Sequence, residues 1–312
     1  MNREKIYNQL KKNVQDWNLD EERYHNSLIQ HKNDIEAAFI EEEQALAWAS
    51  LRTSFESMGG GSLCEAASAF LVGDFEMAKK HLIKSFAYER LALRIILTLR
   101  LNQDNFTTLF TYNVNEICYL AVLSILFDNH SMLRLCNTIL DLVEKYDSQG
   151  GFQDMAYKRF IQNLTRVYLN EEFKLEAQND LYNTIFQTWE DEVYFSGAVD
   201  SILDYHLGMA CDTKKYYKEQ IKPSVKITGY ESPFDNIGLK TMPYEVAALY
   251  KIRKNNGLYW PIIDHVLWQS PFIEFTENLP KDEYNDNLLE KVNNYYPFET
   301  ESEILEKVGG FI

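Results

Sequence analysis

Glycine and proline are scarce, with 13 and 7 in 312 residues. A chain so poor in turn formers is not a collagenous, low-complexity or many-turned all-β protein. Cysteine is scarcer still. Cys64, Cys118, Cys136 and Cys211 are widely scattered and form no CxxC pair, which argues against both a disulfide framework and a cysteine zinc site. Long apolar runs are missing too. The most apolar segments, LALRIILTL at 91–99 and ICYLAVLSILF at 117–127, fall well short of the ~20 residues that span a bilayer. The first 25 residues carry basic side chains with no apolar run behind them, so no secretory signal is expected. Reduced thiols and a cytoplasmic home follow as expectations.

Chemical motifs are equally sparse. None of the six histidines has an HExxH-type partner, and His25 and His31, six residues apart, point to different sides of a helix. No GxSxG elbow occurs, and SMGGGS at 57–62 lacks the Lys-Ser/Thr of a phosphate cradle. Asp200 and Asp204 share a helix face near His206, but Asp204 and His206 diverge, and polar residues on an amphipathic helix are ordinary. No catalytic, cofactor or metal residue is assigned, and an enzyme is not expected.

What the chain does have is apolar residues at helical spacing over most of its length. Helices are expected near 2–17, 20–39, 41–57, 62–72, 74–100, 104–127, 130–146, 151–169, 173–188, 190–210, 243–255 and 284–294. Segments 74–100 and 104–127 are expected to form the central buried pair, with Ile96 in its core. The triple glycine Gly59–Gly61 reads as a helix breaker, and SQGG at 148–151 as the next. The fold class is all-α, a multi-helix bundle of antiparallel hairpins. Three prolines and two glycines within 222–243 suggest a structured loop, dividing a main helical body, 1–221, from a C-terminal portion, 222–312, packed on it in one domain. Residues 66–86 resemble half of a tetratricopeptide module, with Gly73, Phe75, Ala78, Leu82 and Ser85 at its spacing. A true array repeats about every 34 residues. Thr107 stands where the next glycine belongs, so this is one hairpin and not a repeat array.

Charge is strongly one-signed, at −16. Nine acids and one lysine between Glu171 and Asp204, then ten acids and two lysines between Glu274 and Glu306, give −8 each and account for the whole excess. That sign repels nucleic acid and anionic membrane and attracts basic partners. Aromatics lie among these acids, in QTWEDEVYF at 187–195 and EYNDNLLEKVNNYYPFETE at 283–301, a combination suited to capturing a basic protein. Candidate contacts are Trp189, Glu190, Asp191 and Glu192 in one stretch and Asp282, Glu283 and Asp286 in the other. A solvated, solubilising surface is the plainer alternative.

The segment MPYEVAALYKIRKNNGLYWPIIDHVLWQSPF, 242–272, sets a proline and an apolar helix before a glycine turn and an Asp-His pair. It resembles the C-terminal pattern of helical immunity proteins from bacterial polymorphic toxin systems, most nearly the immunity protein 49 family. AVDSILDYHLGMA, 198–210, resembles a second helix of that family. The resemblance covers about the last two fifths of the chain. It implies a cytoplasmic, non-enzymatic partner of a cognate toxin domain, commonly a basic nuclease, and no cofactor. Asp264 and His265 match the family pattern and are expected to brace the C-terminal fold. The competing class is a helical adaptor or regulator that holds a peptide or endogenous protein between helix pairs.

Overall fold

The computed structural model describes residues 2–18, 21–102, 114–146, 155–175, 180–210, 237–280 and 284–309. Among them are fourteen helices and no strand. They are α1 (Arg3–Asn18), α2 (Glu21–Ala38), α3 (Gln44–Leu71), α4 (Phe75–Asn102), α5 (Val114–Leu126), α6 (His130–Tyr146), α7 (Met155–Tyr168), α8 (Leu181–Gln187), α9 (Glu192–Ala210), α10 (Ile237–Lys240), α11 (Tyr244–Asn255), α12 (Ser270–Glu277), α13 (Asn287–Tyr295) and α14 (Glu301–Gly309). No described helix is long and apolar enough to cross a membrane. The all-α fold class is therefore as the apolar spacing requires.

The longest elements, α3 and α4, form the most extensive helix pair. Gly73 sits between them at φ +84°, a left-handed conformation that glycine adopts without penalty. Its N–H and that of Asp74 close onto the carbonyls of Phe70 and Ala69, and the Asp74 carboxylate caps α4 at the Met77 N–H. Ala78, Leu82 and Ser85 are all buried along the contact, so the hairpin legible at 66–86 is real.

Gly59–Gly61 do not break the helix, which runs straight through them. The reason is packing. Glu89 of α4 lies so close to α3 that a Cβ at Gly59 would sit 2.7 Å from its carboxylate oxygen. Burial between two long helices outweighs glycine's propensity cost of about 1 kcal/mol per residue.

The expected pairing of 74–100 with 104–127 is also corrected. α4 pairs chiefly with α3, while α5 lies among α6, α7 and α11. Every residue from Ile117 to Leu126 is buried, as an all-round apolar helix demands. On α4 it is Ile95 that is fully buried, whereas Ile96 is only partly so. Cys64, Cys118 and Cys136 are buried free thiols. The expected turn at 148–151 and most of the loop at 222–243 lie outside the described residues.

Two apolar clusters organise the body. The larger joins α3–α9 to α11, α12 and α14, and the smaller is built from α2, the first half of α3, the middle of α4 and the segment 289–298. Residues 284–301 lie along α4. Tyr88 donates to Asp286 at 2.7 Å, Arg90 meets Glu301 at 3.0 Å, and Arg94 donates to the carbonyls of Phe298 and Glu299. Helices α12 and α14 were absent from the sequence-based assignment. Each is under ten residues, too short for a periodic signal to rise above its flanks.

Candidate functional site

Most described acids of the two −8 stretches have partners within the protein. In the C-terminal stretch, Glu274 accepts from Ser270 at 2.6 Å, and Glu277 accepts from Tyr250 and Lys254, each at 2.5 Å. Glu299 pairs with Lys307, Glu301 with Arg90, and Glu303 caps Thr300. Asp286 is the N-cap of α13. Its carboxylate accepts from the N–H groups of Leu288 and Leu289 and from the hydroxyls of Tyr88 and Tyr284. Burial pushes that carboxyl up, but these donors outweigh it and hold its pKa below the usual carboxylate range. Asp286 therefore binds the C-terminal segment to α4. Asp282 and Glu283 lie outside the described residues.

In the other stretch, Asp180 caps α8 at the Asn183 N–H. Asp200 and Asp204 grip Arg3 of α1, whose guanidinium reaches Asp204 at 2.7 and 2.9 Å and Asp200 at 2.5 Å. What remains turned outward is Glu171 and Glu172, together with Glu190, Asp191 and Glu192.

Of those last three, Glu190 and Asp191 lie in the tight turn between α8 and α9, and Glu192 is the first residue of α9. Asp191 opens α9 by accepting from the N–H groups of Val193 and Tyr194, both at 3.1 Å, which is why the helix starts there. Val193 and Tyr194, at 80% and 70% exposure, stand in the first turn beside the acids. Trp189 turns the other way. Its ring stacks on Phe186 at 5.6 Å and meets Phe195 edge-on at 6.3 Å, so it is half-buried and supports the turn from beneath.

Arg253 of α11, only 1% exposed, joins this turn to a second loop. Nη1 donates to the Trp189 carbonyl at 2.6 Å and Nε to the Tyr259 carbonyl at 3.0 Å. The guanidinium lies over the rings of Phe195 at 3.8 Å and Trp189 at 5.0 Å, a cation–π seat. Burial lowers its pKa, opposed by the negative charge of Glu192. Because one planar fork bonds both carbonyls, the 189–194 turn and the loop after α11 are neighbours. That loop carries Tyr259 and Ile262, 48% and 95% exposed.

The same loop ends on Asp264 and His265. Asp264 is exposed and offers its backbone carbonyl to Arg3 at 3.4 Å. His265 is buried. Its Nδ1 accepts from the Leu267 N–H at 3.1 Å, which leaves the proton on Nε2 to be donated to Asp204 at 3.3 Å. Burial and the neighbouring Arg3 lower its pKa against the pull of Asp204, so the ring is neutral. His265 thus fastens the loop to α9. His206, two residues from Asp204, faces the other way and meets Glu245 at 2.6 Å in the core. The Asp200, Asp204 and His206 triplet is therefore split between two faces. No group of three or more metal-ligating side chains gathers among the described residues.

The arrangement is two loops joined through Arg253, one carrying exposed Val193 and Tyr194 beside acids and the other exposed Tyr259 and Ile262. Only its first half was among the sequence candidates. Tyr259, Ile262 and Arg253 were missed, because nothing in the sequence tells which side chains of an irregular loop point outward or which arginine of α11 points in. No family model matches the chain, and neither a curated protein nor a solved structure does.

Proposed function

We propose that this chain is an immunity protein that binds and neutralises a cognate basic toxin domain of the nuclease type, acting in the cytoplasm as a stoichiometric inhibitor and not as an enzyme. The supporting observation is the acidic turn 190–192, exposed beside Val193 and Tyr194 while most described acids of the C-terminal stretch hold the fold together. Exposed acids speed encounter with a cationic surface that has evolved to hold phosphates, and apolar contacts at the centre slow dissociation. The sequence resemblance at 198–210 and 242–272 supports the same reading. On this account the acidic C-terminal stretch is structural and the 190–192 turn is the contact.

The direct test is co-expression with the toxin domain encoded by the neighbouring gene. Cells survive when both proteins are made and die when the toxin domain is made alone. Equal killing with and without this protein would defeat the proposal. The helical adaptor or regulator, which holds a peptide or endogenous protein between helix pairs, would then be the better account.

A further inference from the structure

Ile262 is the most exposed large apolar side chain described, and it sits on a loop fastened at both ends. At the near end the Leu258 N–H closes onto the Arg253 carbonyl at 2.9 Å, and Arg253 returns a bond to the Tyr259 carbonyl. At the far end His265 is held by Asp204 and Leu267. Between them Trp260 points inward, 5.9 Å from Phe195 and 5.3 Å from Trp268, and Pro261 is buried. A fully exposed aliphatic group on so firmly seated a loop has already lost the freedom that binding would otherwise remove. Residues 188–195 and 256–264 together contain Glu190, Asp191, Glu192 and Asp264 and no lysine or arginine. Of the cations close by, Arg253 is turned inward, Arg3 is held by Asp200 and Asp204, and Lys254 is paired with Glu277.

We propose that the 257–264 loop is the second half of the docking face, with Ile262 as its apolar centre and Arg253 as the positioning residue that fixes it beside the 189–194 turn. The occupant is a protein domain with an apolar depression ringed by basic side chains, and its identification as a toxin rests on the immunity reading. Lysine at 253 keeps the charge but cannot bond both carbonyls in one plane while lying over two rings.

Two measurements test this. In binding to the purified toxin domain from the neighbouring gene, Ile262→Ser raises the dissociation constant about 30-fold, mainly through faster release. In the free protein, Arg253→Lys speeds hydrogen exchange about tenfold at amides in both 190–194 and 258–264, leaving the α3–α4 amides unchanged. Wild-type binding with an Ile262→Ser constant within about twofold of it would remove the loop from the face and leave the immunity reading standing. No binding by the wild type would defeat that reading and the occupant together. Exchange that rises in one loop alone, or throughout the molecule, would overturn the role of Arg253 whatever the partner.

Discussion

Glu89 is the residue at which packing and charge conflict most directly. It is buried against the glycine face of α3, and burial raises its pKa well above the ordinary value, reinforced by Glu116 and Glu56 and opposed by Arg52. A carboxyl whose folded pKa is raised contributes its full stability below the unfolded pKa, and that contribution is lost as pH rises through the folded value. Glu89→Gln, which stays neutral, therefore melts higher than wild type at pH 8, and the difference closes toward pH 4. Equal melting temperatures at both pH values would show that the carboxyl ionises freely. None of this was legible in the sequence, where Glu89 reads as one more helical acid. Ile95 and Ile96 carry a related lesson. Both lie in the apolar run 91–99, and membership of that run was the reason to expect Ile96 in the core, but the rotation of α4 buries its neighbour more fully. Ile95→Ala costs about 2–5 kcal/mol in urea unfolding and Ile96→Ala about half that. The reverse order would mean that α4 is rotated from the position described.

At the scale of elements, glycines separate what propensity says from what contact decides. Gly59 and Gly197 are both helical. A Cβ at Gly59 would collide with Glu89, whereas one at Gly197 on α9 meets nothing within 4 Å. Gly59→Ala destabilises by about 1–3 kcal/mol through overpacking. Gly197→Ala stabilises by about 0.5–1 kcal/mol, since only the backbone entropy term is left. Chemical denaturation of the two variants checks both signs, and stabilisation by Gly59→Ala would show that the Glu89 side chain moves aside for the added methyl. The hairpin at 66–86 was readable because its turn needs Gly73 and its packing needs small residues at fixed spacing. The continuity of α3 through three glycines was not, because it depends on a helix that follows in the chain. The start of α9 combines both cases: Asp191 is a cap recognisable by type, yet its role as cap and as surface acid at once appears only in the fold.

For the whole molecule, charge is divided by task. The C-terminal acids hold residues 284–309 to the body through Tyr88 and Arg90. Arg90→Ala, which leaves the nearly buried Glu301 without its cation, costs about 1–3 kcal/mol and loosens the C-terminal helix in hydrogen exchange. The acids at 190–192 hold the start of α9 and lend charge to Arg253, and they face outward with Val193 and Tyr194 on the turn that Arg253 joins to the loop of Tyr259 and Ile262. Composition showed that the chain is acidic in two places. Only three-dimensional contacts distinguish the acids that build the protein from those that face outward. The most direct test of that division is the rate at which the purified protein associates with the neighbouring toxin domain as salt is raised through about 0.1 M, where the screening length is about 10 Å. The rate falls steeply for the wild type. With Glu190, Asp191 and Glu192 all replaced by their amides it starts lower and falls less. A rate indifferent to salt, or one that the triple replacement leaves unchanged, would contradict the account.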